Sequence, residues 1–135
     1  MSENFLNQYG VFVNGVTSQP SGDREAFMAR LGELYDQGAN VERLLTAGCG
    51  LSAESGEFME IIKKIIFQGK PYDADNIFHM KRELGDVMWY WAQACMALDL
   101  DPYDVLRENI NKLESRFPGG KFQIHMSENR RDGDL

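Results

Sequence analysis

The sequence predicts an all-α protein with a four-helix-type core and an N-terminal helical arm. Two observations support this prediction. In each long segment the large apolar residues recur at the three- and four-residue spacing of one helical face. Short stretches containing glycine and proline, which end helices, separate these segments. At 135 residues the chain is expected to form a single domain over residues 1–120, followed by a partly disordered tail over residues 121–135.

Two amphipathic segments form the expected arm. The first runs from Glu3 to Val16, and residues 17–22, which read Thr-Ser-Gln-Pro-Ser-Gly, break it. The second runs from Asp23 to Gln37, and the glycine that follows is a helix stop signal.

The third helix is expected to run from Asn40, a good N-cap residue, to Phe67. It contains Gly48, Gly50 and Gly56, and each glycine inside a helix costs about 1 kcal/mol relative to alanine. Their presence indicates close packing, the approach of a ligand to the backbone, or a local kink.

The fourth helix is expected to begin near Asp73 or Asp75 and to extend to Asp99. Between Val87 and Leu98 every residue except one glutamine is apolar. A helix that is apolar nearly all round must be covered on more than one side, and a domain of this size does not easily do that alone. We therefore expect this segment to form both core and a subunit interface, in a homodimer or homotetramer.

The last core helix is expected to begin at Asp101-Pro102 and to end before Pro118, with two glycines following. In the tail, Phe122 and two further apolar residues could dock on the core, and disorder is expected from Ser127 onward.

Composition excludes several classes of function. The net charge is −7 and the chain has no run of Lys and Arg, so it is a poor match for the phosphate backbone of DNA or RNA. A secretory segment and a bilayer-spanning apolar run are both missing from the sequence, so a cytoplasmic protein without a membrane partner is expected. Cys49 and Cys95 are too isolated for a disulfide framework or a zinc site, and are expected to be buried free thiols.

Two carboxylate pairs lie on consecutive predicted helices, Glu54 with Glu57 and Glu83 with Asp86. Residues three apart lie on one helical face, so each pair forms a patch that could share a ligand. Glu54 is also in phase with an apolar stripe, which contains Phe58, Ile61, Ile62 and Ile65. Converging carboxylates that face a core need compensation, and a hard divalent cation such as Mg²⁺ supplies it. The alternative interpretation is a solvated acidic face, which is the usual state of charged residues.

These motifs resemble those of a known family, the MazG-like members of the all-α nucleoside triphosphate pyrophosphohydrolases. The family hallmark is E-x-x-E, a spacer, and E-x-x-D, which Glu54-Ser-Gly-Glu57 and Glu83-Leu-Gly-Asp86 match. The resemblance extends from about Asn40 to Phe117. It includes Gly50-Leu51, the Val-Met-Trp-Tyr90 that follows the second pair, and Lys112-Leu-Glu-Ser-Arg116-Phe-Pro118.

The resemblance implies a Mg²⁺-dependent enzyme, with Mn²⁺ as a substitute, that converts a nucleoside triphosphate into a monophosphate and pyrophosphate. All four carboxylates would be metal ligands, and Glu54 or Glu57, with Glu57 favoured, would orient or deprotonate the attacking water. It also implies a homo-oligomer, and leaves the base, the sugar and the phosphorus attacked undetermined.

Five further residues are candidates for substrate binding. Lys64 lies seven residues after Glu57, nearly in register with it, so it could reach the same cavity unless it is simply solvated. The resemblance places Tyr90 beside the base, and Lys112 and Arg116 at the phosphates. Asn109 joins these two residues in one i, i+3, i+7 row on the last helix. The competing interpretations are a core tyrosine and a solvated face on which Lys112 pairs with Glu108.

Two other classes of protein are alternatives to this enzyme. A catalytically silent module of the same fold would bind metal without releasing pyrophosphate. A di-iron carboxylate bundle would need two Glu-x-x-His motifs, and neither His79 nor His125 lies three residues after a glutamate.

Overall fold

The computed structural model describes residues 2–129, and the secondary structure in that range consists of α-helices without a strand. The all-α prediction is therefore confirmed. The helices are α1 (Ser2–Val16), α2 (Gln19–Gly22), α3 (Arg24–Asp36), α4 (Val41–Phe67), α5 (Ala74–Ala97), α6 (Pro102–Arg116) and α7 (Ile124–Glu128).

The chain divides into two compact units, one up to Glu42 and the other from Arg43 onward. In the first unit, the Asp23 carboxylate caps α3 by accepting a hydrogen bond from the backbone N–H of Ala26 at 2.7 Å. Gly38, with φ of 80°, follows the end of α3 in the left-handed conformation that glycine adopts most readily. The expected break at residues 17–22 contains the one-turn helix α2.

The first unit also holds the N-terminal end of α4, where the Tyr35 hydroxyl donates a hydrogen bond to Glu42 Oε2 at 3.1 Å. This hydrogen bond, with a smaller effect of burial, raises the pKa of Tyr35. The contact joins the end of α3 to the start of α4.

In the second unit, α4 and α5 carry the buried apolar side chains Ala47, Ile61 and Cys95. Ile61 belongs to the apolar stripe expected on α4, and the other members of that stripe are half-buried. Glu54 is half-buried as well, as its phase with the stripe predicts.

A capped turn connects α4 to α5. The Asp73 carboxylate accepts a hydrogen bond from the backbone N–H of Asn76 at 3.0 Å, and so caps α5. Asn76 is buried, and its Nδ2 donates to the carbonyl oxygen of Pro71 at 2.7 Å. These bonds satisfy polar groups at the turn and establish where α5 begins.

Three details of the sequence prediction were wrong. The fourth helix ends at Ala97 instead of Asp99, because Asp99 has φ of 52°, which a right-handed helix does not contain. Cys49 is exposed, whereas Cys95 is buried and free as expected. On α4, Cys49 points away from the side on which Ala47 and Gly50 are buried.

The third difference lies in the tail, where α7 continues to Glu128, past the point at which disorder was expected to begin. The Phe122 ring contacts that of Phe117, at the end of α6, with centroids 5.4 Å apart, but Phe122 itself remains mostly exposed. The expected disorder of residues 130–135 concerns positions outside the described residues. No helix in the described range is both long and apolar enough to cross a membrane.

Candidate metal centre

Three of the four predicted carboxylates converge between α4 and α5. Glu54 and Glu57 from α4 and Glu83 from α5 each offer one oxygen, and these oxygens lie within 4.8 Å of one another. We call this group the acidic cluster. Glu54 and Glu83 are half-buried and Glu57 is exposed, so the cluster opens to solvent on the side of Glu57. The structure thus brings the two E-x-x-[ED] motifs together, as their positions on consecutive helices predict.

Asp86, the fourth predicted ligand, is exposed and lies beside this group instead of within it. Its charge nevertheless acts on the cluster, because repulsion from Asp86 helps to raise the pKa of Glu54. A carboxylate so close to the cluster could join it around a cation through a change of side-chain rotamer.

The environment of Glu54 disfavours its negative charge. Burial is the largest cause of its raised pKa, and repulsion from Glu57, Asp86 and Glu83 raises it further, as does a hydrogen bond with Glu83. A divalent cation would reverse this effect by attracting all these charges. The donor set consists of carboxylate oxygens alone, which fits hard cations such as Mg²⁺ or Mn²⁺.

A glycine of α4 and a tyrosine of α5 are in close contact near the cluster. Gly50 is buried, and three ring carbons of Tyr90 occupy the space that a Cβ atom at position 50 would need. The close packing expected at Gly50 is therefore present. At Gly48 and Gly56 nothing lies within 4 Å of such an atom, and α4 continues through both.

The lysine predicted for the cavity lies two turns beyond Glu57, the last α4 member of the cluster. Lys64 Nζ is 3.3 Å from Glu60 Oε1, and Lys63 forms an ion pair with the same glutamate. Hydrogen bonds from the two lysines, with that of Lys63 the stronger influence, lower the pKa of Glu60. Glu60 is thus engaged by lysines outside the acidic cluster.

The remaining substrate-binding candidates lie on α5 and α6. Tyr90 is half-buried against Gly50 and also makes an edge-on contact with Trp89, with centroids 4.8 Å apart. On α6, Lys112 and Arg116 are half-buried and Asn109 is exposed. Arg116 is the basic residue in the last turn of α6.

Sequence reasoning did not identify the partner of Gly50. The available signal was the glycine itself, inside a long helix and one turn before Glu54, which indicates close packing without naming the residue that packs there.

Comparison with known proteins shows that the acidic cluster lies within the domain of a known protein family. The model of the MazG nucleotide pyrophosphohydrolase domain matches residues 43–120, which is more than half of the chain and includes all four carboxylates. The chain is also 38% identical over 85 residues to the Gene 37 protein of Mycobacterium phage L5, over 62% of this chain and 75% of that protein. No solved structure is significantly similar to it.

Proposed function

Because this chain belongs to the MazG nucleotide pyrophosphohydrolase family, we propose that it hydrolyses nucleoside or deoxynucleoside triphosphates to a monophosphate and pyrophosphate with the help of Mg²⁺. The observation that carries this proposal is the acidic cluster, in which oxygens from two helices lie within 4.8 Å of one another inside the matched domain.

Glu54, Glu57, Glu83 and Asp86 are the residues that would hold the metal. When bound, Mg²⁺ neutralises phosphate charge and lowers the pKa of a coordinated water. The acidic chain, with net charge −7, would otherwise repel a triphosphate. The carboxylates therefore provide the negative charge that retains the cation near the substrate.

We assign the role of base to Glu57 in preference to Glu54. Glu57 is the exposed member of the acidic cluster, so its carboxylate can reach a water that enters from solvent, whereas Glu54 is half-buried. A base must lie within hydrogen-bonding distance of the proton that it accepts, directly or through one water. Hydrolysis of a phosphoanhydride depends mainly on positioning and on neutralisation of charge, so the mechanism needs no nucleophilic side chain.

Cationic and polar side chains would bind the rest of the substrate. Lys112 and Arg116, together with Asn109 on the same helix, are assigned to the phosphates, and Lys64 is a further candidate that would have to exchange Glu60 for phosphate. A guanidinium presents several donors in a planar fork that matches phosphate geometry. Tyr90 would border the base through the part of its ring that Gly50 does not cover.

We also propose that the active species is a homo-oligomer. Along α5, large apolar side chains remain exposed in the single chain, among them Trp89 at 55% and Met96 at 61%. The outer side of α4 adds Met59, Ile66 and Phe67, which are more than half exposed. Soluble monomers rarely expose apolar patches larger than a few hundred Å². A second copy of the chain would cover these surfaces in a closed, symmetric assembly.

The decisive experiment is a panel of nucleoside and deoxynucleoside triphosphates assayed for pyrophosphate, with Mg²⁺ present and after its removal by EDTA. We expect at least one nucleotide to yield equal amounts of monophosphate and pyrophosphate, and the reaction to stop with EDTA. Metal binding without pyrophosphate release from any nucleotide would favour the catalytically silent module instead.

A further inference from the structure

The contact between Gly50 and Tyr90 lies close to the acidic cluster along both helices. On α4, Glu54 lies four residues after Gly50, and on α5, Asp86 lies four residues before Tyr90. Four residues correspond to a rise of about 6 Å, or one helical turn. The glycine and the ring therefore occupy the layer next to the carboxylates, on the two helices that carry them.

The sequence positions show a regular antiparallel register. Three residues beyond Glu54 comes Glu57, and three residues before Asp86 comes Glu83. Glu54, Glu57 and Glu83 form the acidic cluster, and Asp86 is close enough to raise the pKa of Glu54. Gly50 opposite Tyr90 is thus the next pair in the same alignment of α4 with α5.

We propose that Gly50 and the ring of Tyr90 are positioning residues, which set the separation and register of α4 and α5 so that the carboxylates converge on one cation. They act through the carboxylates and not on the reacting atoms. The inference rests on the proposed function only in that the acidic cluster binds a divalent cation.

Steric geometry supports this role. A Cβ atom at position 50 would come closer than 3.0 Å to Cγ, Cδ1 and Cε1 of Tyr90, so even alanine requires the ring or the helix to move. These atoms belong to the inner part of a rigid ring, which cannot yield as the end of a flexible side chain can. A shift of the helix at this layer is transmitted to carboxylates one turn away, because a helix moves nearly as a rigid body.

The same helix supplies a matched control. Gly48 lies two residues before Gly50 on the opposite side of α4, and a Cβ atom added there would meet nothing within 4 Å. Gly48→Ala and Gly50→Ala therefore make the same chemical change in the same helix, and both raise helix propensity. Only Gly50→Ala meets an obstacle.

The test measures Mn²⁺ binding to the full chain by titration calorimetry and by electron paramagnetic resonance of free Mn²⁺. For Gly50→Ala we expect the dissociation constant to rise about 10- to 100-fold, the range found for residues that orient metal ligands. Gly48→Ala should bind as the wild type does. Tyr90→Phe should also bind normally, because ring carbons and not the hydroxyl occupy the space beside Gly50.

A double-mutant cycle separates positioning from general destabilisation. If Gly50→Ala alone does not fold, the comparison of Tyr90→Ala with the double variant still shows whether the substitution at position 50 acts through the ring. Tyr90→Ala removes the obstacle, so adding Gly50→Ala to it should change Mn²⁺ affinity less than about threefold. The difference between this small change and the loss expected in the presence of the ring is the coupling of two residues in contact. Circular dichroism checks that each variant keeps its helical content.

Wild-type Mn²⁺ affinity in Gly50→Ala, or an equal loss of affinity in the presence and absence of the Tyr90 ring, would overturn the inference. Failure of the proposed function gives a different pattern. In that case Gly50→Ala binds Mn²⁺ more weakly than the wild type, as expected, but no nucleotide is hydrolysed by either protein.

Discussion

Replacing Glu57 by glutamine tests the acidic cluster most directly. The substitution keeps the size of the side chain and removes the charge of one of the three oxygens that lie within 4.8 Å of one another. It also removes the residue assigned as the base. Because Glu57 is exposed, the change leaves no cavity in the core.

Two magnitudes follow. Loss of a general base lowers turnover by about 10²- to 10⁴-fold, so the pyrophosphate assay should detect a loss in that range. Binding of metal at 100 times its dissociation constant stabilises a folded protein by about 2.7 kcal/mol. For a chain of this size that corresponds to an increase in melting temperature of roughly 10 °C. The wild type should show this Mg²⁺-dependent increase, and Glu57→Gln should lose most of it.

The metal-free variant is expected to fold at least as well as the wild type. Repulsion from Glu57 is the second cause, after burial, of the raised pKa of Glu54. Removing that repulsion relieves the cluster, so the melting temperature in EDTA should be equal or higher. A fall in activity with an unchanged or raised melting temperature would thus locate the effect in the site and not in the fold.

Glu60→Gln is the matched control. Glu60 lies on the same helix three residues later, and it forms ion pairs with Lys63 and Lys64 outside the cluster. Exposed ion pairs contribute about 0–1 kcal/mol, so this variant should melt close to the wild type and keep substantial activity. Near-normal hydrolysis by Glu57→Gln at saturating Mg²⁺ would refute the assignment, as would an equal loss in both variants.

Three further predictions use other parts of the structure. Because the pKa of Glu54 is raised in the folded state, its contribution to stability is present below the unfolded pKa and is lost as the pH rises through the folded value. In EDTA, Glu54→Gln should therefore melt at an increasingly higher temperature than the wild type as the pH rises from about 4.5 to 7, and a constant difference would contradict this. Asp73→Ala removes the cap of α5 and should lower the free energy of unfolding by about 1 kcal/mol, whereas Asp73→Asn should nearly preserve it in urea titrations. Light scattering at micromolar concentration should show a dimer or tetramer, and an active, monodisperse species near 15.4 kDa would contradict the interface expected around Trp89.

Local physics explains why most of the helices could be predicted from the sequence. Asp23, Asp73 and Asp101 lie before helices and each accepts a hydrogen bond from a backbone N–H in the first turn. Helical periodicity likewise predicted that Glu54 would lie in phase with the apolar stripe that includes Ile61. These features depend on residues a few positions apart, so the local sequence determines them. The end of α5 was missed because the left-handed Asp99 carries no strong sequence signal.

The composition of the candidate site was also available from the sequence. The spacing of the two carboxylate pairs determines that each pair shares a helical face, and their resemblance to MazG-like motifs agrees with the family match over residues 43–120. The substrate-binding roles assigned to Lys64 and the α6 row remain predictions.

Only the tertiary structure decided which carboxylates come together and how closely. Periodicity determines the face of each helix, but the register between α4 and α5 depends on packing between residues 40 positions apart, such as Gly50 and Tyr90. That register places Glu54, Glu57 and Glu83 within 4.8 Å and leaves Asp86 beside them. The exposure of Cys49 has the same origin, since it depends on which side of α4 faces its neighbour. The free energy that selects one register comes from side chains meeting across helices, and it cannot be read from either helix alone.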